Sequence, residues 1–170
     1  MALPRLAMLI AVDTNVLMDL AAGVESVLDA IQLVRRRIVG ARLIAVPTVI
    51  QELSYIAKHG ETDEDIRLAS DALRKLIAWG FEPVNFLPVE FGITEQISLK
   101  LRRAGLLPEI EANDSFILAE VALLGSGLFL TSDSHFANLD FQLLTLELKA
   151  SDVSAPAIAS PREILRRFYG

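Results

Sequence analysis

The chain has 170 residues, 52% of them hydrophobic and 22% charged, which supplies enough apolar side chain for a sizeable core, and residues 1–170 are read as a single domain. The absence of cysteine excludes disulfides, thiolate metal sites and cysteine nucleophiles and allows a reducing cytoplasm. With His59 and His135 the only histidines, a bound metal would rest on oxygen ligands, which favour magnesium, manganese or calcium over zinc. A formal net charge of −6 gives no footprint for strong nonspecific binding to nucleic acid, although a local basic face is compatible with it.

At the amino end, Arg5 and a few apolar residues lead into the run Met8 to Val12. Asp13 interrupts that run before it can serve as a signal peptide or a membrane span, so a soluble, cytoplasmic protein is expected. The run ends at Asp13-Thr14-Asn15 and is followed by the helical pattern Val16 to Ala22, which reads as a buried strand feeding a helix. An aspartate at such a junction sits at the carboxyl end of a strand, where open α/β sheets place their ligands. Asp13 or Thr14 serving as a helix cap is the ordinary alternative.

Apolar residues at helical spacing then predict a helix from Val24 to Val39, ending in Arg35-Arg36-Arg37, which complement the carbonyl end of the helix or bind phosphate. Leu43 to Val46 is a second short strand. Thr48 and Gln51 have the spacing of a capping box for a helix from Val49 to Lys58. Glu52 falls in the next turn, beside the buried stripe and close to the strand's carboxyl end. Thr62 to Asp65 caps a third helix running to Trp79 and closed by Gly80. Phe81 to Val89, broken by Pro83 and Pro88, reads as an edge strand or extended loop. Thr94 to Ala104 is helical and carries Arg102-Arg103.

Asn113-Asp114 opens an apolar helix from Ser115 to Leu124. A glycine turn and the strand Leu128 to Thr131 follow, and that strand runs into Ser132-Asp133, so the strand-then-carboxylate pattern of Asp13 recurs. Phe141 to Leu146 is predicted as a final strand, 149–160 as a loop rich in Ser, Ala and Pro, and Pro161 to Phe168 as a helix. Alternating strands and helices argue for a three-layer α/β fold with a mainly parallel sheet. Asp13, Glu52, Asp114 and Asp133 all lie at or beside element ends. Converging in a low-dielectric cleft, they would repel one another unless a cation neutralised them, and a divalent ion is the natural counterweight.

Four stretches resemble the PIN-domain family, named for the PilT amino terminus, and especially its bacterial toxin-like nucleases of VapC type. They are Val12 to Leu17, Pro47 to Leu53, Glu111 to Ala119 and Leu130 to Phe136, in family order and spread over nearly the whole chain. The resemblance implies an α/β/α fold with strand order 3-2-1-4-5 and metal-dependent cleavage of RNA phosphodiester bonds with Mg2+ or Mn2+. Asp13, Glu52, Asp114 and Asp133 match the acidic metal-binding and catalytic positions, with Thr14, Asn15 and Thr131 as the supporting small polar residues. Asn113 and Glu111 are weaker matches, and His135 is read as structural or peripheral. An antitoxin protein and a second copy of the chain are the partners implied. Two other readings stay open: a non-catalytic PIN-like module that binds RNA or protein, and a phosphatase of the haloacid-dehalogenase type. The latter is disfavoured because Asn15 stands where that chemistry needs a second aspartate.

Overall fold

β1 (Leu9–Val12) lies at the centre of a parallel sheet, because Ile10, Ala11 and Val12 have no solvent-exposed surface and can be covered only from both faces. The computed structural model describes residues 7–110 and 112–169. On one side β1 pairs with β2 (Arg42–Ala45), and β2 pairs with β3 (Phe81–Pro83). On the other side β1 pairs with β4 (Leu128–Leu130), and β4 pairs with β5 (Ala157–Ala159). All four pairings are parallel and the order is 3-2-1-4-5, as expected from the sequence.

The helices flank this sheet as an α/β/α sandwich. They are α1 (Thr14–Ala21), α2 (Glu25–Arg37), α3 (Pro47–His59), α4 (Asp63–Lys75), α5 (Pro88–Arg103), α6 (Ala112–Leu123), α7 (Ser134–Ala137), α8 (Phe141–Lys149) and α9 (Pro161–Tyr169). α3 packs on α4, α5 on α6 and α2 on α9. Among the described residues no helix is long and apolar enough to cross a membrane.

α4 ends at Lys75 rather than at Trp79, α7 is additional to the predicted elements, and three further elements differ from the sequence reading. Phe141 to Leu146 is not a strand but the start of α8. Asp140 Oδ1 accepts from the Gln142 and Leu143 amides at 3.0 Å, and Leu144 and Leu148, one helical turn apart, fill the buried face. The fifth strand comes instead from the stretch read as a loop, where Ala157, Ile158 and Ala159 take the open edge of β4. α5 starts at Pro88, six residues before the predicted helix, with proline in its first turn and Glu90 Oε2 accepting from the Leu87 amide at 2.6 Å.

Two strand ends carry the fold into the site. The Asp13 amide donates to Leu130 O at 2.9 Å and the Thr131 amide to Ala159 O at 3.1 Å, each continuing its parallel ladder one residue past the strand. Asp13 and Thr131 are therefore held side by side at the carboxyl edge of the sheet. Gly125, at φ +68°, lets the chain leave α6 and turn into β4, a conformation that a residue with a Cβ adopts only at a cost.

Candidate metal centre

Asp13 is 4% exposed, so each of its oxygens must find a partner. Oδ1 accepts from the Thr14 amide at 2.8 Å, which makes Asp13 the N-cap of α1 and settles the cap question in favour of Asp13 over Thr14. Oδ2 accepts from Thr131 Oγ1 at 2.6 Å and, at 3.4 Å, from Asn15 Nδ2. Burial raises its pKa above the ordinary carboxylate range, opposed by the bonds from Thr131 and Thr14 and reinforced by the charge of Asp133.

The second strand end repeats the device. Asp133 Oδ1 accepts from the His135 amide at 2.8 Å and so caps α7, while the Asp133 amide donates to Thr131 Oγ1 at 3.1 Å. One threonine hydroxyl therefore ties the two strand-end aspartates together. Asn15 Oδ1 adds a brace by accepting from the Ser132 amide at 3.2 Å.

Glu52 comes from the second turn of α3 and Asp114 from the first turn of α6. The pKa of Glu52 is pushed up to about 7, first by desolvation and then by the charges of Asp13 and Asp114, with a smaller effect from Asp133. Thr14 lies close enough to oppose this rise slightly. Even so, Thr14 Oγ1 and Glu52 Oε1 are both buried without a well-formed hydrogen bond. The four acids named from the sequence thus share one electrostatic neighbourhood, and Thr14, Asn15 and Thr131 contact or adjoin them.

His135 is a correction. Read from the sequence as peripheral, it places Nδ1 3.1 Å from Asp114 Oδ2 and 3.5 Å from Asp133 Oδ1. One donor atom from each of Asp114, Asp133 and His135 falls within 4.8 Å of the others, close enough to hold one ion. Asn113 is exposed and lines a cleft of about 330 Å³ with Gln51, Glu52 and Tyr55, whereas Glu111 lies outside the described residues.

The expected capping box of α3 is absent, because the helix starts at Pro47 with Val46 as its cap, which puts Thr48 inside the first turn, where it has another partner. Its amide donates to Glu120 Oε2 at 3.1 Å and its hydroxyl to Glu120 Oε1 at 2.8 Å. Glu120, 2% exposed, was missed in the sequence. The available signal was a lone charge between Ile117, Leu118, Ala119, Val121 and Ala122, on a helix otherwise apolar on nearly every side. Its carboxylate joins the start of α3, which carries Glu52, to α6, which carries Asp114. Glu120→Ala is expected to cost about 1–3 kcal/mol in urea unfolding by orphaning the Thr48 amide, whereas Glu120→Gln, which keeps an acceptor there, should cost far less.

A five-stranded parallel sheet in this order, with acidic side chains gathered at its carboxyl edge, defines an α/β protein of the PIN type. The family model described as PIN domain matches residues 10–142, and the chain belongs to that family. No curated protein matches the chain significantly. Among solved structures, VapBC2 from Rickettsia felis, bound to a DNA fragment from its promoter, superposes with a TM-score of 0.61 at 14% identity, covering 90% of this chain and 98% of that one. VapBC-1 from nontypeable Haemophilus influenzae gives 0.58 at 14% identity, covering 91% and 99%, and FitAcB from Neisseria gonorrhoeae 0.52 at 18%, covering 90% and 98%. At these identities the likeness is one of fold.

Proposed function

We propose that the protein is a divalent-metal-dependent endoribonuclease, the toxin-like member of a toxin–antitoxin pair, acting in the cytoplasm. The observation that carries this is Glu52 Oε1, buried without a well-formed hydrogen bond, on a carboxyl whose pKa burial and then the charges of Asp13 and Asp114 push up to about 7. Leaving a buried acceptor unmatched beside like charges is costly, and a cation removes both penalties at once. No Lys or Arg ion pair is formed by Asp13, Glu52 or Asp133 among the described residues. The donor set of carboxylates with one imidazole fits a hard ion such as Mg2+ or Mn2+.

In this reading Asp114 and Asp133, with His135 beside them, would hold the ion directly, and Asp13 and Glu52 would complete the acidic site around it. When bound, the ion supplies Lewis-acid activation of a water and charge stabilisation at the reacting phosphate. The chain's own contribution is positional. Thr131, the Thr14 amide and Asn15 lock the Asp13 carboxylate in one orientation, and Thr131 fixes Asp133 relative to it. Glu52, whose pKa burial and the neighbouring carboxylates push up to about 7, would be ionised as a ligand of the cation. His135 Nδ1 lies against Asp114 Oδ2 at 3.1 Å, which holds the ring at the acidic centre.

The partner protein follows the same reading. Tyr55 and Phe91 are exposed beside clefts that both include Gln51, and an antitoxin or a second copy of the chain, forming a homodimer, would cover them.

The direct test is cleavage of single-stranded RNA with Mg2+ or Mn2+, lost in EDTA and restored by excess metal. Calorimetric titration with manganese separates the enzyme from a silent module. The parent is expected to bind with proton release, and Asp114→Asn to bind at least tenfold more weakly. Cleavage that persists in EDTA, or a parent that takes up no manganese, would sink the reading.

A further inference from the structure

A groove of about 660 Å³ lies along the end of α5 and the following loop and reaches Ser134 and His135 beside the acidic centre. Its walls include Arg102, Arg103, Glu109, Ser134, His135 and Asn138. We propose that Arg102 and Arg103 form a subsite for the phosphate of a nucleotide flanking the scissile one, so that the groove is the track for the RNA backbone. This rests on the nuclease reading above and extends it to substrate placement.

Three observations point the same way. The groove ends on His135, whose Nδ1 is 3.1 Å from Asp114 Oδ2, so an extended strand lying in it enters the acidic centre. Arg102 Nε is buried and donates to nothing, and neither arginine forms an ion pair among the described residues. Two arginines at the carboxyl end of a helix are what its dipole favours, which accounts for their position but not for the unmatched donor. An anion in the groove would pair with the terminal guanidinium nitrogens, whose planar fork matches two oxygens of a phosphate.

The electrostatics require such a device. A chain of net charge −6 with carboxylates at its centre repels a polyanion, so cations must stand beside the acidic centre rather than in it. Glu109 is the acid of the groove wall and opposes the two arginines. It weakens the subsite and supplies a control of opposite sign.

The test is the affinity of the full chain for a short labelled single-stranded RNA, read by fluorescence anisotropy in Ca2+ over a range of salt. Arg102→Gln with Arg103→Gln, which keeps the packing stems, is expected to weaken binding roughly tenfold or more and to lower the slope of log K against log salt by about 0.7, the value for one single-strand phosphate contact. Glu109→Gln is expected to tighten binding about threefold. Cleavage of a dinucleotide, which lacks the flanking phosphate, should fall far less in the double variant than cleavage of the longer RNA. An unchanged affinity and salt slope in the double variant overturns the proposal, as does tighter capture of polyglutamate than of RNA, which would mark the groove as a seat for an acidic protein segment. Arginine-dependent RNA binding without cleavage supports the subsite and removes the nuclease reading, and cleavage of long RNA unaffected by the arginines does the reverse.

Discussion

Asp13→Asn and Asp114→Asn are each expected to lower metal-dependent RNA cleavage by a thousandfold or more while leaving the protein folded. Removing one carboxylate from an ion that stabilises developing charge forfeits several kcal/mol, and each ~1.4 kcal/mol is a factor of ten in rate. The folded state tolerates the change because asparagine has the same shape. Its oxygen still accepts from the Thr14 amide at the start of α1, and its amide group faces Thr131 Oγ1, whose hydroxyl turns to accept rather than donate. Rates measured in parallel with thermal unfolding separate lost chemistry from lost fold. A variant that melts like the parent and still cleaves at a tenth of its rate would remove Asp13 or Asp114 from the metal set.

The gathering of the four acids was legible because it follows from topology. A parallel sheet with β1 between β2 and β4 sends the residues after β1 and β4 to one edge, and both strands are short apolar runs ending in small polar residues. What escaped depended on partners distant in the chain. Phe141 to Leu146 has enough apolar residues for either structure, and only Asp140 as a cap and the spacing of Leu144 and Leu148 decide for a helix. Ala157 to Ala159 has little strand character of its own and becomes a strand because β4 offers an unpaired edge. Thr48 looked like a cap because the pattern is local, yet Pro47 starts the helix before it and its amide meets a carboxylate 72 residues away. His135 was dismissed on chemical grounds and is brought in by the cap at Asp133, which turns its ring toward Asp114.

The same crowding of carboxylates should make the metal-free protein more stable in mild acid than in mild base. Glu52 and Glu120 both titrate near 7 instead of the ordinary 4.5, chiefly through burial, and Asp13 is raised as well. Between about pH 4.5 and 7 the folded chain therefore binds more protons than the unfolded one. Stability is then greatest below the unfolded pKa and falls as pH rises through the folded one, the reverse of an ion-paired carboxylate. Discounted for solvent screening, Glu52 and Glu120 together amount to about 3 kcal/mol, or roughly 8 °C in melting temperature for a chain of this size. Manganese at a hundredfold its Kd would restore about 2.7 kcal/mol at pH 8 by binding only the folded state. Glu52→Gln should raise the melting temperature of the metal-free protein at pH 8, because it removes a charge that its neighbours oppose, and should also diminish the response to manganese. That pairing of higher stability with weaker metal binding is what a centre built for a cation predicts, since the carboxylates are held together against their own repulsion. A melting temperature that is flat from pH 5 to 8 without metal, or a Glu52→Gln variant less stable than the parent at pH 8, would show that Glu52 is not held in the strained, partly neutral state on which the metal assignment depends.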